Sequence, residues 1–213
     1  MKTVAIIDYG MSNLRSVSKA LEHVAGQSWQ IHVSNVADVI LHADKVVFPG
    51  QGAIGNCMTL LQQIGLHEVI QQTLATKPFL GICLGLQTLL TISEESGGTA
   101  GFNLLAGTVR RFPEPLQDPV TGERLKIPHM GWNQVQAAQA HPLWVGIPEN
   151  SRFYFVHSYY VDPEDQQVIA GITHYGNLVF ASAVARDNVF AMQFHPEKSQ
   201  HAGLKLLQNF LAW

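Results

Sequence analysis

The chain has 213 residues, a formal net charge of −3 and an apolar fraction of 46%. This length suits one large domain or two small ones with a sizeable core, and the apolar fraction is that of an ordinary globular protein. The slightly acidic balance, without a basic stripe, argues against a nucleic-acid partner. No apolar run approaches the roughly 20 residues of a membrane-spanning helix, so no membrane partner is expected.

The N-terminal sequence and the cysteine content bear on the cellular compartment of the protein. Residues 1–8 are too short an apolar segment, and become acidic too soon, for a secretory signal peptide. The chain has two cysteines, Cys57 and Cys83. We therefore expect a cytoplasmic protein in which both cysteines are free thiols.

The N-terminal half alternates short apolar runs with helically spaced apolar residues. Strands are predicted at 4–7, 31–33, 45–48 and 79–82, and helices at 13–24, 53–61, 66–74 and from 84 to about 90. Ser12 is the expected N-cap of the first helix, and Pro49 is expected to end the third strand. This alternation predicts an α/β fold with a mostly parallel central sheet flanked by helices.

The C-terminal half has a different pattern of predicted elements, with short strands that do not alternate with helices. Short strands are predicted at 108–110, 134–136, 152–156, 168–170, 178–181 and 189–192, followed by an amphipathic helix at 199–211. Residues 112–124 contain three prolines and predict an exposed hairpin or loop. We expect an added antiparallel or mixed portion of the sheet. Without repeats or a linker, residues 1–213 are interpreted as a single domain.

The stretch Gly-Ile-Cys-Leu-Gly at residues 81–85 joins a predicted strand to a predicted helix. It is typical of a nucleophile elbow, a sharp turn that holds a reactive side chain above the sheet. The flanking glycines avoid crowding in that turn, and a helix N-terminus beside the sulfur favours thiolate. Cys83 is therefore the predicted nucleophile, whereas Cys57 lacks such a context and is expected to be structural.

A cysteine nucleophile needs a base and a group that orients the base. In Gln-Phe-His-Pro-Glu at residues 193–197, His195 follows an apolar strand and Pro196 ends it. His195 is the predicted base, and Glu197 is predicted to hold its second ring nitrogen.

The same pattern predicts an oxyanion hole. One donor is the backbone N–H of Leu84, the residue after the nucleophile. The second comes from the Pro-Gly-Gln-Gly loop after the third strand, from Gly50 or Gln51. No histidine pair has zinc-ligand spacing with a third ligand, so neither a metal nor another cofactor is expected.

Together the two motifs resemble those of the class I (triad) glutamine amidotransferases. Three further stretches are similar to the glutaminase subunits of imidazole glycerol phosphate synthases. They are Ile-Pro-His-Met-Gly-Trp-Asn at 127–133, Phe-Val-His-Ser-Tyr-Tyr at 155–160 and His-Pro-Glu-Lys-Ser-Gln at 195–200. Asp-Tyr-Gly-Met-Ser-Asn-Leu at 8–14 also fits, and the resemblance covers essentially the whole chain.

The resemblance implies a flavodoxin-like amidotransferase fold and a reaction. Cys83 attacks the side-chain amide of glutamine to give a γ-glutamyl thioester and ammonia, and water then releases glutamate. Ammonia passes to a (β/α)8-barrel cyclase in a heterodimer, which forms imidazole glycerol phosphate and aminoimidazole carboxamide ribotide in histidine biosynthesis. The implied substrate contacts are Gly52, Gln87, Ser158 and Tyr159, and the implied cyclase contacts are Asn13, Trp132, Asn133 and Lys198.

One position departs from the family pattern, and alternatives remain open. Gln51 replaces the small apolar residue expected between the loop glycines, although its N–H remains available. We hypothesise that this N–H is mispositioned until the partner binds its ligand. The alternatives are the glutaminase half of another synthase, such as one making anthranilate, guanylate or pyridoxal phosphate, a non-catalytic scaffold, and a small cysteine hydrolase. Residues 127–133 favour the imidazole glycerol phosphate synthase group.

Overall fold

The structure is a computed structural model that describes residues 1–11 and 14–213. The helices are α1 Leu14–Ala25, α2 Ala37–His42, α3 Ile54–Gln63, α4 His67–Thr76, α5 Leu84–Gln87 and α6 Gln200–Ala212. The strands are β1 Lys2–Ile7, β2 Trp29–Ser34, β3 Lys45–Gly50, β4 Phe79–Cys83, β5 Leu90–Ser93, β6 Thr99–Ala100, β7 Leu105–Arg111, β8 His129–Gln134, β9 Gln136–Ala137, β10 Arg152–His157, β11 Tyr159–Pro163, β12 Ile169–Tyr175, β13 Leu178–Arg186 and β14 Val189–Met192. Among the described residues, no helix combines the length and apolarity needed to cross a membrane.

The parallel part of the main sheet has the strand order β2-β1-β3-β4-β14. Successive side chains of a strand point to opposite faces, and both faces are apolar here. Ala5 and Ile7 pack in the core beneath α2, α3 and α4, whereas Val4 and Ile6 pack in the core beneath α1 and α6. The prediction of a mostly parallel sheet with helices on both faces is confirmed.

Beyond β14 the main sheet becomes mixed. β13 is antiparallel to β14, β11 is antiparallel to β13 and β7 is antiparallel to β11, while β5 runs parallel to β7. β8 and β10 form a separate antiparallel pair. The predicted antiparallel or mixed C-terminal portion is therefore confirmed.

Strand register determines which residues meet at the carboxyl edge of the parallel sheet. Gly50, at the end of β3, pairs with Cys83, at the end of β4. On the other side of β4, Met192 pairs with Ile82. The loop after β3, the elbow after β4 and the segment after β14 consequently emerge side by side.

Several predicted elements differ from the structure. The helix expected from 84 to about 90 ends at Gln87, and Leu90 already begins β5. Pro49 does not end β3, because the strand continues to Gly50 and Pro49 pairs with Ile82. α2, β8 and β11 were not predicted. Ser12, the predicted N-cap, lies outside the described residues.

The elbow glycines leave no room for a side chain. A Cβ on Gly85 would lie 2.0 Å from the carbonyl oxygen of Phe48, and a Cβ on Gly81 would lie 2.8 Å from the Cβ of Ala191. Neither contact is tolerated at normal van der Waals distances. The Gly-x-Cys-x-Gly pattern is therefore required by the close approach of β3, β4, β14 and α5.

Gly85→Ala is predicted to destabilise the protein by about 3 kcal/mol or more, because the new methyl group meets backbone that cannot move away cheaply. The matched control is Gly55→Ala in α3, where the nearest atom to a new Cβ is Thr99 Oγ1 at 3.4 Å. That control is expected to be neutral or slightly stabilising, because alanine favours helix over glycine. Urea unfolding of both variants measures the difference, and equal effects would contradict this account of the elbow.

Candidate active site

Cys83 has an unusual backbone conformation at the start of α5. Its φ is 55° and its ψ is −104°, a region that residues with a side chain rarely adopt. Such strain persists only where the surroundings impose it, and it is concentrated at functional sites. The turn leaves the side chain at the end of β4 with a residual exposure of 7%. The predicted nucleophile elbow is therefore present in geometry.

His195 and Glu197 form a buried pair. His195 Nδ1 and Glu197 Oε1 are 2.8 Å apart, and their side chains are 9% and 2% exposed. The backbone N–H of His195 donates to Tyr154 O at 2.9 Å, and Ser199 Oγ donates to His195 O at 2.6 Å. These bonds fix the turn after Phe194, and the contact with the carboxylate places the ring proton on Nδ1.

The charge state of His195 depends on its two neighbours. Burial alone would lower the pKa of His195, but negative charge on Cys83 and the hydrogen bond to Glu197 raise it to about 10. The charge on Cys83 and hydrogen bonding to its sulfur are the two largest influences that raise this pKa, so sulfur and ring are neighbours, and Nε2 makes no other hydrogen bond among the described residues. An ionised thiol therefore favours a charged imidazolium beside it, and Nε2 is the atom available to exchange a proton with sulfur.

A cavity of about 460 Å³ opens beside this pair. It brings together most of the residues singled out in the sequence. They are Gln51, Gly52, Cys83, Leu84, Gln87, Ser158, Tyr159 and His195. Gly50, Glu197 and Lys198 border a smaller adjoining cleft, which Gln51 and His195 also line. The volume fits a small-molecule substrate rather than a macromolecule.

Trp132 and Lys198, two of the proposed interface positions, meet at one surface. The ring centroids of Trp132 and Tyr154 are 6.2 Å apart, and Lys198 Nζ lies 5.6 Å from the Tyr154 ring. Trp132 is 39% exposed, which is high for a large aromatic residue. Asn133 is half-buried, and Asn13 lies outside the described residues. The interface assignment of these positions stays a prediction.

Sequence reasoning missed two polar residues of the site. Glu95 lines the cavity, and its Oε2 accepts the N–H of Ile54 at 2.8 Å. Gln193 is fully buried, and its Nε2 lies 3.5 Å from Cys83 Sγ. Glu95 belongs to none of the motifs identified in the sequence. Gln193 is the first residue of the 193–197 motif, and this position was the one indication in the sequence that it belongs to the site.

A buried histidine pair supports the wall of the cavity. His129 Nδ1 and His157 Nε2 are 2.9 Å apart, and His157 Nδ1 lies 2.7 Å from Tyr159 O. Because that carbonyl only accepts, His157 Nδ1 carries the proton, and the proton shared with His129 comes from His129 Nδ1. His129 Nε2 then faces Asn133 Nδ2 at 3.2 Å. Both imidazoles are neutral in this arrangement.

The chain is a member of the class I glutamine amidotransferases. The family model described as "Glutamine amidotransferase class-I" matches residues 5–213. A crystal structure of a putative GMP synthase component from Thermoplasma acidophilum has a TM-score of 0.69 at 16% identity, covering 100% of this chain and 93% of that one. A crystal structure described as a glutamine amidotransferase has a TM-score of 0.70 at 15% identity, with 98% and 97% coverage. At these identities the likeness extends to the fold.

Sequence relatives specify the group. The imidazole glycerol phosphate synthase subunit HisH of Aromatoleum aromaticum is 54% identical over 213 residues, covering 100% of this chain and 99% of that relative. The subunit of the same name from Nitrosococcus oceani is 56% identical, with 100% and 98% coverage. The chain belongs to the family of imidazole glycerol phosphate synthase HisH subunits, within the class I glutamine amidotransferases. The resemblance to imidazole glycerol phosphate synthase subunits, indicated by residues 127–133, is thereby confirmed, and it is favoured over the glutaminases of other synthases.

Stability is predicted to be greatest near pH 6.5. Burial lowers the pKa of His129 to about 4, and burial and the neighbouring His129 lower the pKa of His157 to about 3. The contribution of these two histidines to the free energy of unfolding is present above about pH 6.5, which is the pKa of histidine in the unfolded chain. It is lost as pH falls through their folded-state pKa values. His195 has a raised pKa of about 10, so its contribution is complete below about pH 6.5 and is lost as pH rises towards 10.

Urea unfolding between about pH 4.5 and about pH 8.5 tests both the acidic and the alkaline decrease in the free energy of unfolding. In Cys83→Ser the alkaline decrease should be smaller, because the charge on Cys83 is the largest influence that raises the pKa of His195. Above this range the buried Cys57, with a pKa of about 12, adds its own alkaline loss. A free energy of unfolding that does not vary with pH in this window would contradict the assigned charge states.

Proposed function

We propose that this chain is the glutamine-hydrolysing subunit of an imidazole glycerol phosphate synthase. The observation that supports this most is the strained Cys83 at the carboxyl edge of the sheet, close to the buried His195–Glu197 pair and open to a cavity of substrate size. The HisH family membership specifies the synthase. The resulting activity is hydrolysis of glutamine to glutamate, with delivery of the ammonia to a cyclase.

The first half of the reaction forms a thioester. His195 Nε2 accepts the proton of Cys83, and the sulfur attacks the carboxamide carbon of glutamine. Negative charge develops on the amide oxygen, where the N–H of Leu84 and that of Gly50 or Gln51 donate hydrogen bonds. His195 then protonates the departing nitrogen, the C–N bond breaks and ammonia leaves. Glu197 stabilises the imidazolium throughout and retains its own charge.

The second half regenerates the enzyme. A water molecule occupies the position that ammonia has left, and His195 Nε2 removes its proton as oxygen attacks the thioester carbon. The same donors stabilise the second oxyanion. The C–S bond breaks, the sulfur recovers its proton from His195 and glutamate is released. A neutral His195 is required at the start of this step, and departure of the thiolate charge on acylation favours that state.

Glutamine is a zwitterion, and the cavity wall offers groups for both of its ends. The Glu95 carboxylate is suited to the α-ammonium group, and the backbone and side chains of Ser158 and Tyr159 are suited to the α-carboxylate end. Gly52 permits close approach of the loop backbone, with a φ of 88°. Gln87 adjoins Cys83 and is suited to the side-chain amide.

The partner proposed for the ammonia is a (β/α)8-barrel cyclase in a heterodimer. Trp132 and Lys198 share a surface through Tyr154, and we propose that this surface faces the cyclase. The resemblance adds Asn133 and Asn13 as proposed cyclase contacts. An exposed aromatic beside a cation is typical of an interface centre. We further propose that residues 1–213 form one domain and that the complex is cytoplasmic, a reducing compartment suited to two free thiols.

Cys83→Ala is predicted to abolish glutamine-dependent cyclase activity, by about 10³-fold or more, and to leave ammonium-dependent activity intact. The physical reason is that ammonia supplied from solution bypasses the thioester step. The measurement mixes the purified chain with the cyclase subunit of the same organism and follows imidazole glycerol phosphate with either nitrogen source.

The matched control is Cys57→Ala. Cys57 is fully buried in the core, where it is a small apolar residue. This variant should lose stability but keep glutamine-dependent turnover. Retained glutamine-dependent activity in Cys83→Ala would refute the proposed nucleophile. Wild-type chain that binds the cyclase without any glutamine-dependent activity would favour the scaffold alternative.

Glu95→Gln is predicted to raise KM for glutamine by about 10- to 100-fold, with a smaller effect on kcat, because a charge-assisted hydrogen bond to the α-ammonium group is lost. The amide oxygen can still accept the N–H of Ile54. The control is Glu94→Gln on the same segment, whose carboxylate faces the N–H of Arg111 at 3.0 Å. Steady-state kinetics of the complex measure both variants, and equal KM values for the two would contradict this assignment.

A further inference from the structure

A chain of side-chain amides leads from the cavity wall to the catalytic sulfur. Gln87 Nε2 lies 3.2 Å from Tyr159 O and 3.1 Å from Gln193 Oε1. Gln193 Nε2 in turn lies 3.5 Å from Cys83 Sγ. We call these three contacts the amide chain. The segments it joins are distant in sequence, since Gln87 and Gln193 are 106 positions apart.

The direction of the amide chain is determined by its first acceptor. A backbone carbonyl cannot donate a hydrogen bond, so the atom of Gln87 that faces Tyr159 O is the nitrogen. The second hydrogen of that nitrogen faces Gln193, which must present its oxygen. The nitrogen of Gln193 is then directed at sulfur. Reversing either amide would place two acceptors or two donors against each other.

The acceptor at the start of the amide chain is itself fixed. Tyr159 O also accepts from His157 Nδ1 at 2.7 Å, and His157 is held by His129. Both histidines are buried, and burial keeps their pKa values well below 6.5. The neutral pair therefore holds the carbonyl in one place without bringing a charge to the cavity wall.

Burial makes these contacts energetically significant. Gln193 is 0% exposed and Gln87 is 6% exposed. A buried amide hydrogen without a partner is costly, so neither amide is free to rotate away from its acceptors. A donor facing sulfur in this environment stabilises the charged thiolate over the neutral thiol. The amide chain thus acts on the chemistry as well as on packing.

We propose that Gln193 is a positioning residue that directs an N–H at the Cys83 sulfur and holds Gln87 with its carbonyl oxygen available to the substrate. This deepens the proposed function and rests on it. The oxygen of Gln87 accepts a hydrogen from the carboxamide of glutamine, whereas it repels the carboxylate of glutamate. One buried residue therefore favours both an ionised nucleophile and the release of product.

The test is the pH dependence of Cys83 alkylation by iodoacetamide, measured on the full chain by mass spectrometry from about pH 5 to about pH 10. Gln193→Glu keeps the shape and an acceptor for Gln87 but places an oxygen against sulfur. Gln193→Met keeps the approximate volume without a donor. In both variants the midpoint should rise by about one pH unit or more, so alkylation near neutral pH slows about tenfold.

Ser182→Ala is the matched control. Ser182 is fully buried, and its backbone oxygen accepts the N–H of Gln193 at 2.9 Å, a contact that the substitution leaves intact. Its midpoint should equal that of the wild-type chain. Cys57 serves as an internal control in every sample, because a buried thiol with a pKa of about 12 should remain unlabelled.

The outcomes separate this proposal from the proposed function. Wild-type midpoints in both folded Gln193 variants would overturn the role of Gln193, even if the chain hydrolyses glutamine. A wild-type Cys83 that labels no faster than Cys57 would instead contradict the proposed nucleophile. A raised midpoint in Ser182→Ala as large as that in Gln193→Met would show a general packing effect and would also overturn the proposal.

Discussion

The register of three parallel strands is the constraint on which the site depends. β3, β4 and β14 end at one edge of the sheet, with Gly50 beside Cys83 and Met192 beside Ile82. The thiol, the loop that supplies N–H groups and the turn that supplies the imidazole are therefore neighbours because their strands are neighbours. A shift of β14 by one residue would exchange the faces of its side chains and move His195 away from sulfur.

Two polar arrangements meet at the sulfur of Cys83. From one side, the His195–Glu197 pair supplies an imidazole whose charge responds to the charge on sulfur. From the other side, the amide chain through Gln193 supplies a neutral donor. In the proposed mechanism the first arrangement moves protons during the reaction, whereas the amides of the second neither gain nor lose one. This division explains why the site combines a titrating group with buried amides that do not titrate.

Local patterns predicted the turn at Cys83 and the pairing of His195 with Glu197, because each involves residues close together in sequence, whereas the approach of the two segments depends on the sheet. The paired glycines at 81 and 85 are dictated by backbone contacts, and the 193–197 motif follows an apolar strand. Other elements gave a misleading or weak signal. In β8, Met130 and Trp132 are exposed apolar residues, so the usual alternation of a half-buried strand is inverted. After Gln87, a run of leucines continues the apolar pattern, although β5 pairs with β7 there.

The missed residues of the site have a common cause. Glu95 reaches the cavity because its segment packs against the start of α3, and Gln193 acts through Gln87, which is distant in sequence. The contact of Glu95 with the start of α3 and that of Gln193 with Gln87 cannot be inferred from residue spacing, so the tertiary structure is needed to detect them. The resemblance supplied several substrate contacts but did not address the orientation of the amides.

Direct detection of the acyl-enzyme tests whether Cys83 is acylated during turnover. The chain in complex with its cyclase would be mixed with glutamine and acid-quenched within one turnover, and its peptides would be analysed by mass spectrometry. We expect a γ-glutamyl adduct on the peptide that contains Cys83, formed and lost at rates consistent with turnover. Glutamate production without that adduct, or with an adduct on Cys57, would contradict this expectation.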